Sequence, residues 1–249
     1  TAHLVDKCGL DMALVGDSLA MAVLGLEDTM SVDMEIMLHH CKAVSRACKY
    51  SLVIGDMPFL SYQVSTEQAI HNAGRFLKEA GADAVKLEGG ESILTQVQGI
   101  IRAGIPVQGH LGLTPQSAGQ VGGFKVQAKT AQAAKKLIRD AKALEQAGCF
   151  SIVLEAIPAE IAARVTREIS IPTIGIGAGA DCDGQVLVFH DLVGLFDKFL
   201  PKFVKQYENL SESIQNALAK YKQEVEQGTF PDEKHSFSVD KNVLQDLDK

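Results

Sequence analysis

Charged residues stand where short apolar runs end along this chain. Asp17 follows Ala13-Leu14-Val15-Gly16, Asp56 follows Leu52-Val53-Ile54-Gly55, and Glu88 follows Ala84-Val85-Lys86-Leu87. His110 follows Pro106-Val107-Gln108-Gly109, and Glu155 follows Ile152-Val153-Leu154. Lys86 lies two positions before Glu88, so on an extended backbone both point to one side. A charged pair facing a helix layer is costly to bury, which places that side at an interior mouth. Each residue alone has a plainer reading. Asp17 and Asp56 could be loop or cap residues, Glu88 a solvated turn residue, His110 a structural histidine and Glu155 half of an ion pair. Together they make a pattern. Four carboxylates converging on one mouth repel each other and raise some of their pKa values, and a dication relieves that repulsion.

The donor types select the ion. Carboxylates with one histidine and no cysteine suit a hard cation. Mg²⁺ takes one or two carboxylates, keeps several waters and accepts an oxygen-rich substrate. Zinc would want His or Cys clusters, and His39-His40, adjacent and diverging on a helix, read as surface or packing residues. An ion held by Asp17 and Asp56 leaves positions open for a chelating small molecule such as a 2-oxo acid. It then polarises the keto oxygen and stabilises an enolate. Glu155, on a later strand, is the candidate base at the adjacent carbon. Lys86 and His110 are placed to neutralise the substrate carboxylate. Ser18 and Ser117 have no nucleophile context around them.

Such a mouth needs strands that end together. Seven apolar runs are strand candidates: the five above, Pro172-Thr173-Ile174-Gly175-Ile176, and Val186-Leu187-Val188-Phe189. Runs without alternation suit strands covered on both faces, as in a parallel sheet. Helical spacing predicts helices over 66–80, with Thr66 as N-cap, over 131–147 ending at Gly148, and over 158–169. A further helix is expected at 2–8, and an amphipathic one over 199–227. The phrase "helix, Ala-Gly, strand" recurs at 80–87, 103–109 and 147–154, which is a βα repeat. A (β/α)8 barrel needs eight strands in about 250 residues. The chain opens in a helix, so the expectation is a barrel whose first strand lies upstream and is absent here. An open doubly wound sheet is the competing architecture. One domain is expected over 1–237, followed by a polar tail at 238–249.

Composition narrows the class. The chain has 249 residues, a hydrophobic fraction of 46%, and a net charge of −7 from 24 Lys and Arg against 31 Asp and Glu. That is globular, and without a basic block it argues against nucleic-acid binding. No run reaches the ~18 apolar residues of a membrane span. Five cysteines, an odd number and without a CxxC pair, read as buried reduced thiols of a cytoplasmic protein. Gly175-Ile176-Gly177-Ala178-Gly179-Ala180 fits a dinucleotide fingerprint in form only. It comes late and runs into a turn rather than a helix, so a close-packed backbone after a strand is the preferred reading.

Longer phrases carry a resemblance. Leu14-Val15-Gly16-Asp17-Ser18-Leu19, Gly55-Asp56-Met57-Pro58-Phe59, Val85-Lys86-Leu87-Glu88-Gly89-Gly90 and Ile174-Gly175-Ile176-Gly177-Ala178-Gly179 are similar to those of the ketopantoate hydroxymethyltransferase (3-methyl-2-oxobutanoate hydroxymethyltransferase) family. So are Gly122-Gly123-Phe124-Lys125-Val126-Gln127 and Asp183-Gly184-Gln185. Gly109-His110-Leu111-Gly112-Leu113-Thr114-Pro115-Gln116-Ser117 is the most specific of them. The resemblance implies a (β/α)8 barrel of the phosphoenolpyruvate/pyruvate type and a Mg²⁺-dependent aldol-type reaction. In it a one-carbon unit passes from 5,10-methylenetetrahydrofolate to 3-methyl-2-oxobutanoate, giving 2-dehydropantoate on the route to pantothenate and coenzyme A. By motif position, Asp17 and Asp56 would bind Mg²⁺, with Glu88 close to the ion through water. Ser18, Lys86 and His110 would hold substrate beside the two aspartates, and Glu155 would be the base. A decamer or other large cyclic homo-oligomer is implied as well. Ala20 and Ala128 stand where many relatives carry Gly. Two other readings stay open. One is a Mg²⁺ lyase or phosphonomutase on pyruvate-like acids, which usually carries a Cys-bearing gate loop, and no Cys here lies in a comparable Lys-Cys-Gly context after a central strand. The other is an inactive barrel.

Overall fold

The computed structural model describes residues 1–117, 125–196, 200–240, 243, 244 and 247. Two compact units divide the chain, one formed by 1–188 with 202–204, the other by 189–201 with 205–249.

In the first unit α1 (Ala2–Lys7) leads into β1 (Met12–Val15), followed by α2 (Leu19–Ala22), α3 (Met34–Ala47) and β2 (Leu52–Asp56). Then come α4 (Thr66–Lys78), β3 (Ala84–Glu88), α5 (Leu94–Arg102), β4 (Val107–Gly112), α6 (Ala131–Ala147) and β5 (Ser151–Glu155). The unit closes with α7 (Ala159–Glu168), β6 (Thr173–Ile176) and β7 (Gly184–Gln185). Every neighbouring pair is parallel and the strands lie in chain order. Helices fill the connections from β1 to β6. This is the winding of a (β/α)8 barrel one strand short among the described residues.

Two glycines show which way the strands face. A Cβ on Gly55 would stand 2.3 Å from Phe76 Cδ1 of α4, and one on Gly109 would stand 2.9 Å from Leu144 Cδ1 of α6. Those positions therefore meet the helix layer. Val85, Leu87, Ile152 and Leu154 share this side and are fully buried with Phe76, Ile100 and Leu144. A fully buried Leu or Phe contributes about 1.5–3 kcal/mol over an exposed one. The alternate positions, among them Asp56, Lys86, Glu88 and His110, turn to the other face, as the Lys86–Glu88 spacing predicts.

Helix ends follow local chemistry with small corrections. Ser65, not Thr66, caps α4, its Oγ accepting from Gln68 N at 3.1 Å. Thr66 is the first helical residue and its methyl packs onto Gly99 of α5. Thr130 caps α6, and Gly148 ends it at φ 100°, the left-handed region that glycine enters freely. The seventh strand is displaced from the expected apolar run. Only Gly184 and Gln185 pair with β6, at Ile174 and Gly175, while Phe189 opens a helix. A Cβ on Gly184 would lie 2.9 Å from Ile174 Cδ1, the tip of a flexible side chain.

The second unit holds α8 (Phe189–Leu192) and α9 (Leu210–Glu226). The helix expected over 199–227 begins only at Leu210, where Asn209 caps it; Phe199 lies outside the described residues. Tyr207 N and Leu210 N donate to Leu192 and Val193 carbonyls, and these bonds hold the preceding segment off a helical path. Among the described residues no helix is long and apolar enough to cross a membrane, and the five cysteines are free thiols.

Candidate active site

Register brings the charged residues into contact. Asp56 pairs with Lys86 across β2 and β3, and Glu88 pairs with His110 across β3 and β4. Gly112 pairs with Glu155 across β4 and β5. Lys86 Nζ lies 2.8 Å from Asp56 Oδ1, 3.5 Å from Glu88 Oε1 and 3.2 Å from His110 Nδ1. His110 Nδ1 is 3.4 Å from Glu88 Oε1, and its Nε2 is 3.1 Å from Glu155 Oε2. Asp17, just past β1, donates its backbone N–H to Asp56 Oδ2 at 3.0 Å. One layer deeper, Gln108 Nε2 donates to Ser151 Oγ at 2.9 Å. Asp17, Asp56, Lys86, Glu88 and His110 are all buried, whereas the Glu155 side chain keeps 16% of its exposure. Ser18 is half-buried at the start of α2.

Burial and neighbours set the protonation. Burial, with Asp56 and Glu88 nearby, pushes Asp17 up to about 8. Burial likewise raises Asp56, against the pull of Lys86. For Lys86 burial favours the neutral amine, but Asp56, Glu88 and Asp17 outweigh it and hold the ammonium charged. Burial and Lys86 oppose a charged His110, but hydrogen bonds to Glu155 and Glu88 raise it to about 9. Glu88 is lowered: burial works the other way, and Lys86, His110 and the Gln116 N–H prevail. Four carboxylates thus face two cations, a surplus of two negative charges when all are ionised.

Sequence reasoning by charged residues passed over the neutral part of this mouth. Tyr62, fully buried, and Gln116, 3% exposed, sit among the carboxylates. Gln116 lies in the 3₁₀ turn Pro115–Ser117, inside the most specific phrase of the chain. A polar residue four positions beyond the end of β4 was the available signal.

Backbone constraint fixes the direction of Glu155. Gly112 has φ 97°, and a Cβ there would meet Glu155 O at 2.2 Å. Leu113 N donates to Glu155 O and Gln127 N to Ala156 O, both at 2.9 Å. Ala156 and Ala128 hold φ 46° and 55°, so Ala128 occupies the backbone region that favours glycine. Ala20 is fully buried. The glycine-rich run is not a dinucleotide loop, since no helix follows it. Gly177 and Gly179, at φ 64° and 84°, let the backbone close on Phe203 and Ala159.

No three Asp, Glu, His or Cys side chains among the described residues form a ready cage for an ion. A site of one or two carboxylates completed by waters and substrate oxygens, as Mg²⁺ prefers, needs no such cage. Asp56 Oδ1 is buried and receives no aligned hydrogen bond, and only the Lys86 ammonium meets its charge. A hard oxygen donor of this kind fits a divalent cation, which would relieve the carboxylate repulsion that helps raise Asp17 and Asp56.

Among solved structures the chain is similar to phosphonopyruvate hydrolase, with TM-score 0.60 and 12% identity over 98% of this chain and 85% of that one. Oxaloacetate acetylhydrolase follows at TM-score 0.52 and 12% identity, over 70% and 61%. At such identities the likeness shows the fold alone, a parallel β/α barrel. Sequence relatives are much nearer. A 3-methyl-2-oxobutanoate hydroxymethyltransferase of Syntrophobacter fumaroxidans is 64% identical over 96% of this chain and 85% of its own. One of Moorella thermoacetica is 60% identical over 94% and 87%. The family model described as ketopantoate hydroxymethyltransferase matches residues 1–233. With the barrel, the strand-end charges and these relatives in agreement, the chain belongs to the ketopantoate hydroxymethyltransferase family.

Proposed function

We propose that this chain transfers a hydroxymethyl group from 5,10-methylenetetrahydrofolate to 3-methyl-2-oxobutanoate, forming 2-dehydropantoate, by Mg²⁺-assisted enolisation and aldol-type addition. Assembly as a decamer or other large cyclic homo-oligomer in the cytoplasm belongs to the same reading. The observation that carries the mechanism is the buried mouth in which four carboxylates crowd two cations, with Asp56 Oδ1 met by the Lys86 ammonium at 2.8 Å. Asp17 and Asp56 would hold Mg²⁺, with Glu88 beside it through water. When bound, the ion supplies Lewis-acid polarisation of the keto oxygen, worth several kcal/mol.

The chain's own groups do the rest. Lys86 and His110 offer positive charge to the substrate carboxylate, and Ser18 offers a hydroxyl at the rim. Glu155 takes the proton from C3 of the keto acid; C3 then bonds to the methylene carbon of the donor, water supplies the hydroxyl oxygen, and tetrahydrofolate leaves. Its partial exposure lets it reach a substrate entering from solvent, and His110 Nε2 lies 3.1 Å away.

Proton–deuterium exchange at C3, followed by NMR without folate, tests this. Exchange that requires Mg²⁺ is the expected result; a folded protein that exchanges nothing overturns the mechanism. Gly112→Ala should slow the exchange about 100-fold, because displacing Glu155 by about 1 Å costs that much. Mg²⁺ affinity, read by calorimetry, should stay near the parent value. An Ala variant exchanging at the parent rate would show that this backbone contact does not position the base.

A further inference from the structure

We propose that Gln116 is a positioning residue that sets the directions of the Asp17 and Glu88 carboxylates across the mouth. The inference rests on the metal-assisted reading above and adds to it a residue without charge.

Each polar atom of Gln116 facing the site is committed. Its side-chain Nε2 donates to Asp17 Oδ2 at 3.0 Å and to the Met57 carbonyl at 2.9 Å. Its Oε1 accepts from the Tyr62 hydroxyl at 2.9 Å, and its backbone N–H donates to Glu88 Oε2 at 3.1 Å. The Tyr62 oxygen in turn accepts from Glu88 N at 3.2 Å. One amide thereby joins residues that follow β1 and β2 to the end of β3. Its orientation is fixed by its surroundings. Flipped, the amide oxygen would face a carboxylate and a carbonyl, with no donor between three acceptors. A lysine could not serve, because it offers no acceptor to Tyr62. A carboxylate there would add another like charge beside Asp17. A buried amide supplies two donors and an acceptor without changing the charge balance that makes the mouth receptive to a cation. Groups that orient ligating carboxylates act in this way, and their loss typically costs 10–100-fold in metal affinity or activity.

The test uses the full chain and Mn²⁺ as the probe, with free ion read by electron paramagnetic resonance. C3 exchange is measured beside it with kcat and KM separated. Gln116→Met keeps the bulk of the side chain and removes its hydrogen bonds to Asp17, Met57 and Tyr62, while the backbone N–H to Glu88 remains. The expected result is an Mn²⁺ Kd raised about 10- to 100-fold and a kcat for exchange lowered in step, with KM for 3-methyl-2-oxobutanoate nearly unchanged. Gln116→Glu should do at least as much harm at unchanged size. Tyr62→Phe should show a smaller loss in the same direction. A residue that only supports the fold would lower the melting temperature and leave the Mn²⁺ Kd where it was; that result overturns the proposal. Should Gln116→Met not fold, an unaltered Kd in Tyr62→Phe and Gln116→Glu overturns it equally. A parent chain that neither binds Mn²⁺ nor exchanges C3 overturns the metal reading itself, and this role with it.

Discussion

Asp56→Ala is expected to lower Mg²⁺-dependent C3 exchange by about 10³-fold or more, which is several kcal/mol of lost transition-state stabilisation at 1.36 kcal/mol per decade. Asp56 also meets the buried Lys86 ammonium at 2.8 Å. Stripping one partner from a buried ion pair costs roughly 3–5 kcal/mol, so the alanine variant carries a stability defect as well. Asp56→Asn separates the two effects. It keeps an acceptor for the Asp17 N–H and the same volume, and removes the charge. Folding by circular dichroism, Mg²⁺ affinity by calorimetry and exchange by NMR are measured together. A folded Asp56→Asn that exchanges at the parent rate would remove Asp56 from the metal site.

Glu155→Gln is the complementary case. It should leave Mg²⁺ and keto-acid binding intact and lower exchange by about 10²–10⁴-fold, the usual contribution of a general base. Glu155 makes no contact with Asp17 or Asp56 in the ion-pair network, and its one close charged neighbour is His110. The amide keeps the shape and loses the basic oxygen. Exchange retained in this variant would assign proton removal to another group.

The charged half of the mouth was legible because chemistry and periodicity coincide there. Strands covered on both faces read as unbroken apolar runs, so Asp17, Asp56, Glu88, His110 and Glu155 stood out where those runs stop. Gln116 and Tyr62 were illegible by the same rule. Neither carries charge, and their roles depend on partners far away in sequence: the Gln116–Asp17 bond spans 99 positions. The seventh strand was misread for a related reason. Val186 to Phe189 are apolar, but the residues that pair with β6 are Gly184 and Gln185, neither of which carries an apolar strand signal. Ser65 lost the cap to Thr66 in the sequence reading because adjacent hydroxyl residues both qualify, and only the direction of the Gln68 N–H separates them.

The strands lie in chain order, and that has a kinetic consequence. Each strand pairs with the next in sequence, so the ladder can grow by steps that close loops much shorter than the whole chain. The bond from Gln116 to Asp17 joins points 99 residues apart and forms only when the ends of β1 and β4 are drawn together. A chain can therefore have its sheet laddered and its helices docked while the mouth is still unlatched. During refolding, recovered secondary structure and recovered competence are separate events, and the amide latch marks the interval between them.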